Sequence, residues 1–359
     1  MDKYKFLQEC LLSFISEDKV KQEFNCVEMK NLLIKHKIYN IVKYVYLDSQ
    51  VYNKCSDNKR NHYHRLADCM GVFQKCDQFG IPYAVIKGAY LEKVAYMDRG
   101  VRSSNDLDLL IRKKDYKRVA SILISEGFKC MNLDWETKKY VECTDRAKIL
   151  YNHLYSHQSC AFFKYRNDKE FTKVDINFSI TWGEDPKGSS MTDELLTKNV
   201  RMVSYQDLSY RALEPATFLF QVCLHSYRDL NSILLLKREK YKLARLCDVY
   251  YYIENKVEQI DRDAFVELVI KYSYQKPIYY ILHYVMEFFG YNEWINYVLT
   301  HIDLEDKSFL NEFGLSEGER KTWNINFKER ILSESLYERI EYLINDNDME
   351  KMSSIENNM

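Results

Sequence analysis

The spacing of apolar residues changes twice along the 359-residue chain. Up to about residue 80 it is helical, with one helix predicted over 32–45 and another over 66–76. Between 81 and 210, short apolar runs separated by polar turns predict strands, with one helix at 115–126. From 214 onward the pattern is almost entirely helical. We therefore predict an α+β protein with an N-terminal helical region (1–80), a core containing the sheet (81–210), a C-terminal helical domain (211–346) and a disordered tail (347–359).

Two carboxylates lie within the apolar segment NDLDLLI at residues 105–111. Because side chains alternate along a strand, Asp106 and Asp108 are expected on one face, with Leu107 and Leu109 on the other. Like charges in an apolar segment are costly unless a metal or a basic partner neutralises them. The pair therefore indicates a cation site, although Asp-x-Asp alone is also typical of an exposed strand edge.

A glycine turn precedes this segment. The apolar run at 81–86 leads into Lys87 and Gly88 and then into a helix-like stretch at 89–95. A strand, a glycine and a helix N-terminus present backbone N–H groups and a positive dipole end, which suit phosphate. Lys87 would add a charge and Gly88 a close backbone approach, whereas an ordinary surface turn is the simpler alternative.

A third carboxylate fits the same scheme. Along 171–180 apolar and polar residues alternate, so Asp175 is expected to face away from Val174 and Ile176. Three carboxylates on neighbouring strands beside a glycine turn are the components of a two-metal phosphoryl-transfer site. Asp106 and Asp108 would bridge two Mg²⁺ or Mn²⁺ ions, and Asp175 would complete the shell of the second ion or deprotonate the acceptor.

The amino-acid composition limits the kinds of partner and the cellular location that we expect for the protein. With 52 basic and 53 acidic residues the formal charge is −1, so nothing requires a long nucleic acid as partner. The ten cysteines contain no C-x-x-C pair, which favours reduced thiols and a cytoplasmic location. No apolar run approaches the roughly 20 residues that a membrane span needs.

Taken together, these motifs resemble a known family. VIKGA at 85–89, Tyr96, and Arg102 followed by DLDLLI at 106–111 resemble the stand-alone bacterial nucleotidyltransferases of the DNA polymerase β superfamily, in the poorly characterised branch with Lys-Gly in place of Gly-Ser. The resemblance extends through Asp175, the helix-like segment from Pro215 to His225, and Arg245 to Asp248, over roughly residues 30–290. It implies a polymerase-β-like core with a mixed sheet between helical regions.

The resemblance also implies roles for individual residues. Asp106, Asp108 and Asp175 would be the catalytic and metal-binding residues, and Lys87, Gly88, Arg102 and His225 would contact the nucleotide. Two departures stand out: the phosphate-binding serine of the superfamily is missing, and Asn177 stands where the branch often has a histidine. For His225 a core position is the alternative, and Arg245 and Asp248 have the spacing of an ion pair within one helix.

The expected activity is magnesium-dependent transfer of a nucleoside monophosphate from an NTP to a hydroxyl or phosphate, with release of pyrophosphate. The acceptor would be a small molecule, a peptide or a protein. One alternative is a metal-dependent glycosyltransferase that uses the Asp-x-Asp pair, and another is a non-catalytic nucleotide-binding or antitoxin-like protein.

Two further sequence patterns suggest a candidate zinc site and a loop. His153, His157 and Cys160 have a spacing that could ligate zinc, but no fourth ligand is evident. Residues 183–190 form the clearest loop and could serve as a mobile flap.

Overall fold

The computed structural model describes residues 2–16, 29–46, 49–134, 139–144, 158–167, 170–182, 185 and 187–357. The chain divides into two compact units. The helical unit comprises residues 1–53 and 222–359, and the sheet unit comprises residues 54–221. The boundaries therefore differ from those predicted at 80 and 210, because the helices between residue 54 and residue 80 belong with the sheet.

Helices occur in both units. In chain order they are α1 (Lys3–Ser16), α2 (Lys30–Lys35), α3 (Tyr39–Val45), α4 (Ser49–Asp68), α5 (Met70–Gln78), α6 (Gly88–Ala95), α7 (Tyr116–Ser125), α8 (Gly188–Lys198), α9 (Pro215–Asn231), α10 (Ile233–Lys237), α11 (Ala244–Lys256), α12 (Arg262–Tyr272), α13 (Gln275–Phe289), α14 (Glu293–His301), α15 (Phe327–Leu332) and α16 (Asp346–Asn357). Helices α5 to α8 lie wholly in the sheet unit, while α4 and α9 each cross a unit boundary.

The strands of the sheet unit are β1 (Tyr83–Ile86), β2 (Leu107–Ile111), β3 (Lys129–Asp134), β4 (Lys139–Glu142), β5 (Ala161–Tyr165), β6 (Phe171–Asn177), β7 (Val200–Tyr205) and β8 (Leu208–Leu213). In the part of the chain that the structure describes, these strands form one sheet in the order β4-β3-β5-β6-β2-β1-β8-β7. The sheet is mixed, because β2–β6 and β1–β8 pair in parallel and the other neighbours are antiparallel. The predicted mixed sheet in an α+β protein is therefore found.

Aromatic packing explains why α5 belongs to the sheet unit. The Phe73 ring of α5 stacks on Tyr83 of β1 with centroids 5.1 Å apart, and it lies 6.1 Å from the Tyr210 ring of β8. Both tyrosine rings are fully buried. Burial of such large side chains supplies much of the stabilisation of a domain, so α5 closes the core beside the central strands.

The two helices predicted before the sheet are each divided in two. The stretch predicted at 32–45 forms α2 and α3, separated at Lys37, whose φ is +58°. The buried His36 ring lies beside this break, 2.7 Å from the Ile331 carbonyl and 3.0 Å from the Leu243 amide. The stretch predicted at 66–76 is interrupted at Cys69, between α4 and α5. At the first break, the tertiary contacts of His36 accompany the interruption of a continuous helical pattern.

The chain end also differs from its prediction. Instead of a disordered tail from residue 347, the structure has helix α16. Asn345 and Asp348 exchange hydrogen bonds at its first turn, and the Met352 side chain is buried. The capped first turn and the buried Met352 side chain both stabilise this helix.

Elsewhere in the helical unit a short two-stranded sheet pairs β9 (Glu312–Phe313) with β10 (Lys321–Thr322). No helix in the described ranges has both the length and the apolar character needed to cross a bilayer. Of the loop predicted at 183–190, residues 183, 184 and 186 lie outside the described ranges, and Gly188 already begins α8.

The loop between α6 and β2 is held by close backbone contact at Gly100. This glycine has φ +75°, and a Cβ there would lie 2.1 Å from the Cys55 carbonyl oxygen of α4. The Asn58 amide, also on α4, donates to the Gly100 carbonyl at 2.8 Å. Because Gly100 has no side chain, the backbone of α4 can approach the loop closely. This contact fixes the path of the chain toward β2.

Replacing Gly100 with Ala tests this contact. Gly127 is the matched control, because its φ is +86° and nothing lies within 4 Å of the position that a Cβ would take there. Both substitutions carry the left-handed backbone cost of roughly 1–2 kcal/mol, but only Gly100→Ala adds steric overlap, worth about 1–3 kcal/mol more. Urea unfolding of both variants measures the difference. Equal losses of unfolding free energy would contradict the close approach.

Candidate functional site

Three predicted carboxylates meet on one face of the central sheet. Asp106 precedes β2 directly, and Asp108 lies in β2 two positions later. The parallel pairing of β2 with β6 places Asp108 opposite Asp175. Since residues in register and residues two apart share a face, all three side chains project to the same side.

Lys87 and Asn177 neutralise and orient Asp108. The Lys87 ammonium donates to Oδ1 of Asp108 at 3.0 Å, and the Asn177 amide donates to the same oxygen at 3.1 Å. Lys87 lies between β1 and α6 with φ +53°, a conformation that non-glycine residues rarely adopt. The structure therefore brings Lys87 to the carboxylates, and Asn177, at the position of the expected histidine, contacts one of them.

Asp175 has its own basic partner, Lys173, which the sequence motifs did not indicate. The Lys173 ammonium donates to Oδ2 of Asp175 at 2.8 Å. The two residues lie two positions apart in β6, so strand alternation applied to basic residues would have found the pair. Each of the two register-paired carboxylates thus has an ammonium group about 3 Å away.

Ser104 contacts the third carboxylate. Its hydroxyl lies 3.0 Å from Oδ1 of Asp106 and 2.9 Å from the Asp106 carbonyl oxygen. Burial acts to raise the pKa of Asp106, but Lys173, the Ser104 hydroxyl and Lys87 together hold that pKa below its ordinary value. Asp106 therefore stays ionised more readily than an ordinary aspartate.

The pKa of Asp175 is shifted in the opposite direction to that of Asp106. Burial is the main cause that raises the pKa of Asp175 to about 6, and the charges of Asp106 and Asp108 add to it against the opposing effect of Lys173. A hydrogen bond between the Asp106 and Asp175 carboxyl groups contributes to the lowered pKa of Asp106. A carboxyl group with a pKa near neutrality suits proton transfer.

The glycine turn lies against the same segment. Gly88 begins α6 with φ +35°, and a Cβ on it would be 3.3 Å from the Ser104 hydroxyl and 3.4 Å from the Asp106 carbonyl oxygen. A side chain at this position would crowd the chain just before β2. The glycine therefore lets the N-terminus of an eight-residue helix approach the carboxylates, and helix N-termini favour anions.

Glu92 forms hydrogen bonds with the backbone of the loop that leads to Asp106. This fully buried side chain on α6 accepts hydrogen bonds from the backbone N–H groups of Gly100 and Arg102, the second at 2.9 Å. Burial raises the pKa of Glu92 to about 8, against the opposing effect of the two backbone donors. Sequence patterns gave no signal for this role, because an acidic residue in a helix is usually solvated.

Helix α4 adds two basic side chains, of which Arg65 has no signal in the sequence. Arg65 is 9% exposed, and its Nη1 has no hydrogen-bond acceptor among the described residues. Burial lowers the pKa of Arg65, while the charge of Asp106 opposes that effect. Nearby His62 is buried, and burial together with the charges of Arg65 and Arg102 lowers its pKa to about 3. The Nη1 group of Arg65 is therefore available to bind an anion.

Arg102 lies close to Glu92 and His62. Its backbone binds Glu92, and its charge acts on both Glu92 and His62. The predicted basic residue before Asp106 thus lies near the loop anchor. Its contact with phosphate stays a prediction.

His225 belongs to the helical unit, whereas the three carboxylates belong to the sheet unit. Its Nε2 is 3.6 Å from Asp229, which also contacts Arg245 at 2.7 Å. Arg245 and Asp248 are 3.3 Å apart, as the spacing within one helix predicts. Contact of His225 with a nucleotide likewise stays a prediction.

Two substitutions test the Glu92 anchor. With a pKa raised from 4.5 to about 8, the folded state binds a proton that the unfolded state has lost. Stability from this group is therefore full below pH 4.5 and is lost as the pH rises through about 8, with a slope approaching ~1.4 kcal/mol per pH unit. Glu92→Gln, a neutral isostere, should remove that slope in urea unfolding measured between pH 6 and 9.

Glu92→Ala should instead lower stability at every pH, by about 1–3 kcal/mol for each stranded backbone N–H group. Glu170→Ala, at an exposed turn of the same unit, is the control. An unchanged pH slope in Glu92→Gln would contradict a protonated, buried anchor.

Comparison with known proteins agrees with this geometry. A family model described as an uncharacterised nucleotidyltransferase matches residues 32–290, which is most of the chain. The match includes β1, β2 and β6 and therefore all three carboxylates. No curated protein matches the sequence. The chain belongs to this nucleotidyltransferase family.

Proposed function

We propose that the protein transfers a nucleoside monophosphate from an NTP to a hydroxyl or phosphate group and releases pyrophosphate, using a polymerase-β-like core. The supporting observation is the convergence of Asp106, Asp108 and Asp175 beside the glycine turn at Gly88. Membership of a nucleotidyltransferase family favours this activity over glycosyl transfer.

The donor set fits magnesium or manganese. Three carboxylates offer hard oxygen ligands on one sheet face, as Mg²⁺ and Mn²⁺ prefer. Asp106 and Asp108 would hold both ions and Asp175 would hold the second. When bound, the ions would neutralise the triphosphate and lower the pKa of the acceptor hydroxyl.

The basic residues have complementary tasks in this proposal. Lys87 bonds to Asp108 at 3.0 Å, and it would turn to the triphosphate once a cation neutralises that carboxylate. The α6 N-terminus at Gly88 would bind phosphate oxygens through backbone N–H groups. Arg65, with an unused donor, and Arg102 would supply further charge.

Asp175 would accept the proton of the acceptor group. Without a cation, burial raises the pKa of Asp175 to about 6, so this carboxylate has a greater affinity for a proton than an ordinary aspartate. Lys173 would keep the carboxylate oriented through its 2.8 Å contact. With a formal charge of −1, the chain suits a small-molecule, peptide or protein acceptor better than a long nucleic acid.

The experiment that tests this proposal is calorimetric titration of each NTP with Mg²⁺ or with chelator, coupled to an assay of pyrophosphate release. Asp106→Ala/Asp108→Ala should abolish metal-dependent binding and release while the fold persists, because the cation site is lost. Asp77→Ala/Asp207→Ala removes the same charge from the same unit, at side chains that contact Arg211 and Tyr63, and should change neither.

Two results would redirect the proposal. If the folded wild-type protein binds none of the NTPs, nucleotidyl transfer is contradicted. If it binds an NTP with Mg²⁺ but releases no pyrophosphate with hydroxyl, phosphate, peptide or protein acceptors, the non-catalytic nucleotide-binding alternative is favoured.

Arg65→Ala tests the phosphate contact from α4. Losing one charge-assisted hydrogen bond should weaken Mg·NTP binding about tenfold. Arg60→Ala is the control, since Arg60 lies on the same helix with its side chain 62% exposed. Isothermal titration of both variants gives the comparison, and equal affinities would remove Arg65 from the site.

A further inference from the structure

Three cysteines from separate parts of the sheet unit converge at its outer strands. Cys130 lies in β3, Cys143 directly follows β4, and Cys160 directly precedes β5. The register pairs Met131 with Glu142, which places Cys143 opposite Cys130. The Cys143 amide donates to the Cys130 carbonyl at 2.9 Å, which fixes this pairing.

The third thiol reaches the same face through the other neighbour of β3. Cys130 is in register with Phe162 of β5, and Cys160 lies two residues before Phe162. Because alternate residues share a face, Cys160 projects to the same side as Cys130 and Cys143. All three side chains are buried, and their sulfur atoms all lie within 4.8 Å of one another.

This face is opposite the carboxylate face. Phe162 is also in register with Val174 of β6, whereas the carboxylate that belongs to the candidate active site is the next residue, Asp175. The cluster is therefore separate from the proposed magnesium site in position as well as in ligand type.

We propose that Cys130, Cys143 and Cys160 bind a structural Zn²⁺ ion as thiolates, releasing their three protons to solvent, with a water molecule as the fourth ligand. Zinc–sulfur bonds of about 2.3 Å in a tetrahedral site place sulfur atoms about 3.8 Å apart, so small side-chain rotations bring the three sulfurs into position. Thiolates are soft ligands that select zinc over magnesium. Two of the candidates from the sequence, His153 and His157, lie outside the described residues, while Cys160 belongs to the cluster.

The location gives the ion a structural task. Strand β4 lies at the edge of the sheet and all four of its residues are exposed, so apolar burial by its own side chains contributes little to holding it. A zinc ion would join the end of β4 to β3 and β5. The unfolded chain does not hold the three cysteines together, so the free energy of zinc binding stabilises the folded state. The ion would therefore stabilise the β4 edge of the sheet.

The test uses the full chain, stripped of metal under reducing conditions, with Mg²⁺ in excess to occupy the carboxylates. Titration with Co²⁺ should produce a thiolate-to-cobalt charge-transfer band that saturates at one equivalent, and Zn²⁺ should displace it. Cobalt bound by carboxylates gives no such band. Each of Cys130→Ser, Cys143→Ser and Cys160→Ser should lose stoichiometric binding and the full band.

Cys69→Ser and Cys76→Ser are matched controls, because both thiols are buried in the same unit outside the cluster, and both variants should keep the band. The wild-type result stands even if a cluster variant fails to fold. Folded wild-type protein with reduced thiols that binds neither Co²⁺ nor Zn²⁺ overturns the proposal. A disulfide between two cluster cysteines without bound metal, or a band that survives all three substitutions, overturns it too.

Discussion

The parallel pairing of β2 with β6 is the constraint on which the candidate site depends. It places Asp108 opposite Asp175, with Asp106 two residues before Asp108 on the same face. Three carboxylates held together in a mostly buried sheet repel one another, and each loses hydration. The surrounding residues must therefore supply positive charge and hydrogen-bond donors.

The groups that donate to the carboxylates come from neighbouring elements. Lys87 at the end of β1 and Lys173 on β6 each contact one carboxylate, and Ser104 contacts the third. Outside this layer, Glu92 ties down the loop that carries Arg102. In the proposed mechanism, an incoming cation would take over the neutralisation of Asp108 and would leave Lys87 available to phosphate.

The sequence predicted the parts of this site that follow from local periodicity. Alternation within 105–111 and within 171–180 placed the three aspartates, and the glycine between a strand and a helix located the turn at Gly88. Lys173 obeys the same alternation, but its sequence position carries no distinct signal because a lysine on a strand is usually a solvated residue. Arg65 could not be found in this way, since its relation to Asp106 depends on how α4 packs.

Features set by register between distant segments were also beyond sequence reasoning. Cys130, Cys143 and Cys160 are widely spaced in sequence, and only the pairing of β3 with both β4 and β5 brings them together. The composition of the helical unit is a further feature of this kind, because that unit combines both ends of the chain. Periodicity reports which face of an element is buried, but it does not report which distant element covers that face.

The central claim is that the three aspartates hold divalent cations for a bound nucleoside triphosphate. Its most direct test is a crystal structure with Mn²⁺ and a non-hydrolysable NTP analogue, with manganese located by anomalous scattering. The account predicts manganese peaks bound by Asp106, Asp108 and Asp175, with the triphosphate at the Gly88 turn and Lys87 released from Asp108. A bound nucleotide with no manganese at these carboxylates, and with Lys87 still on Asp108, would contradict it.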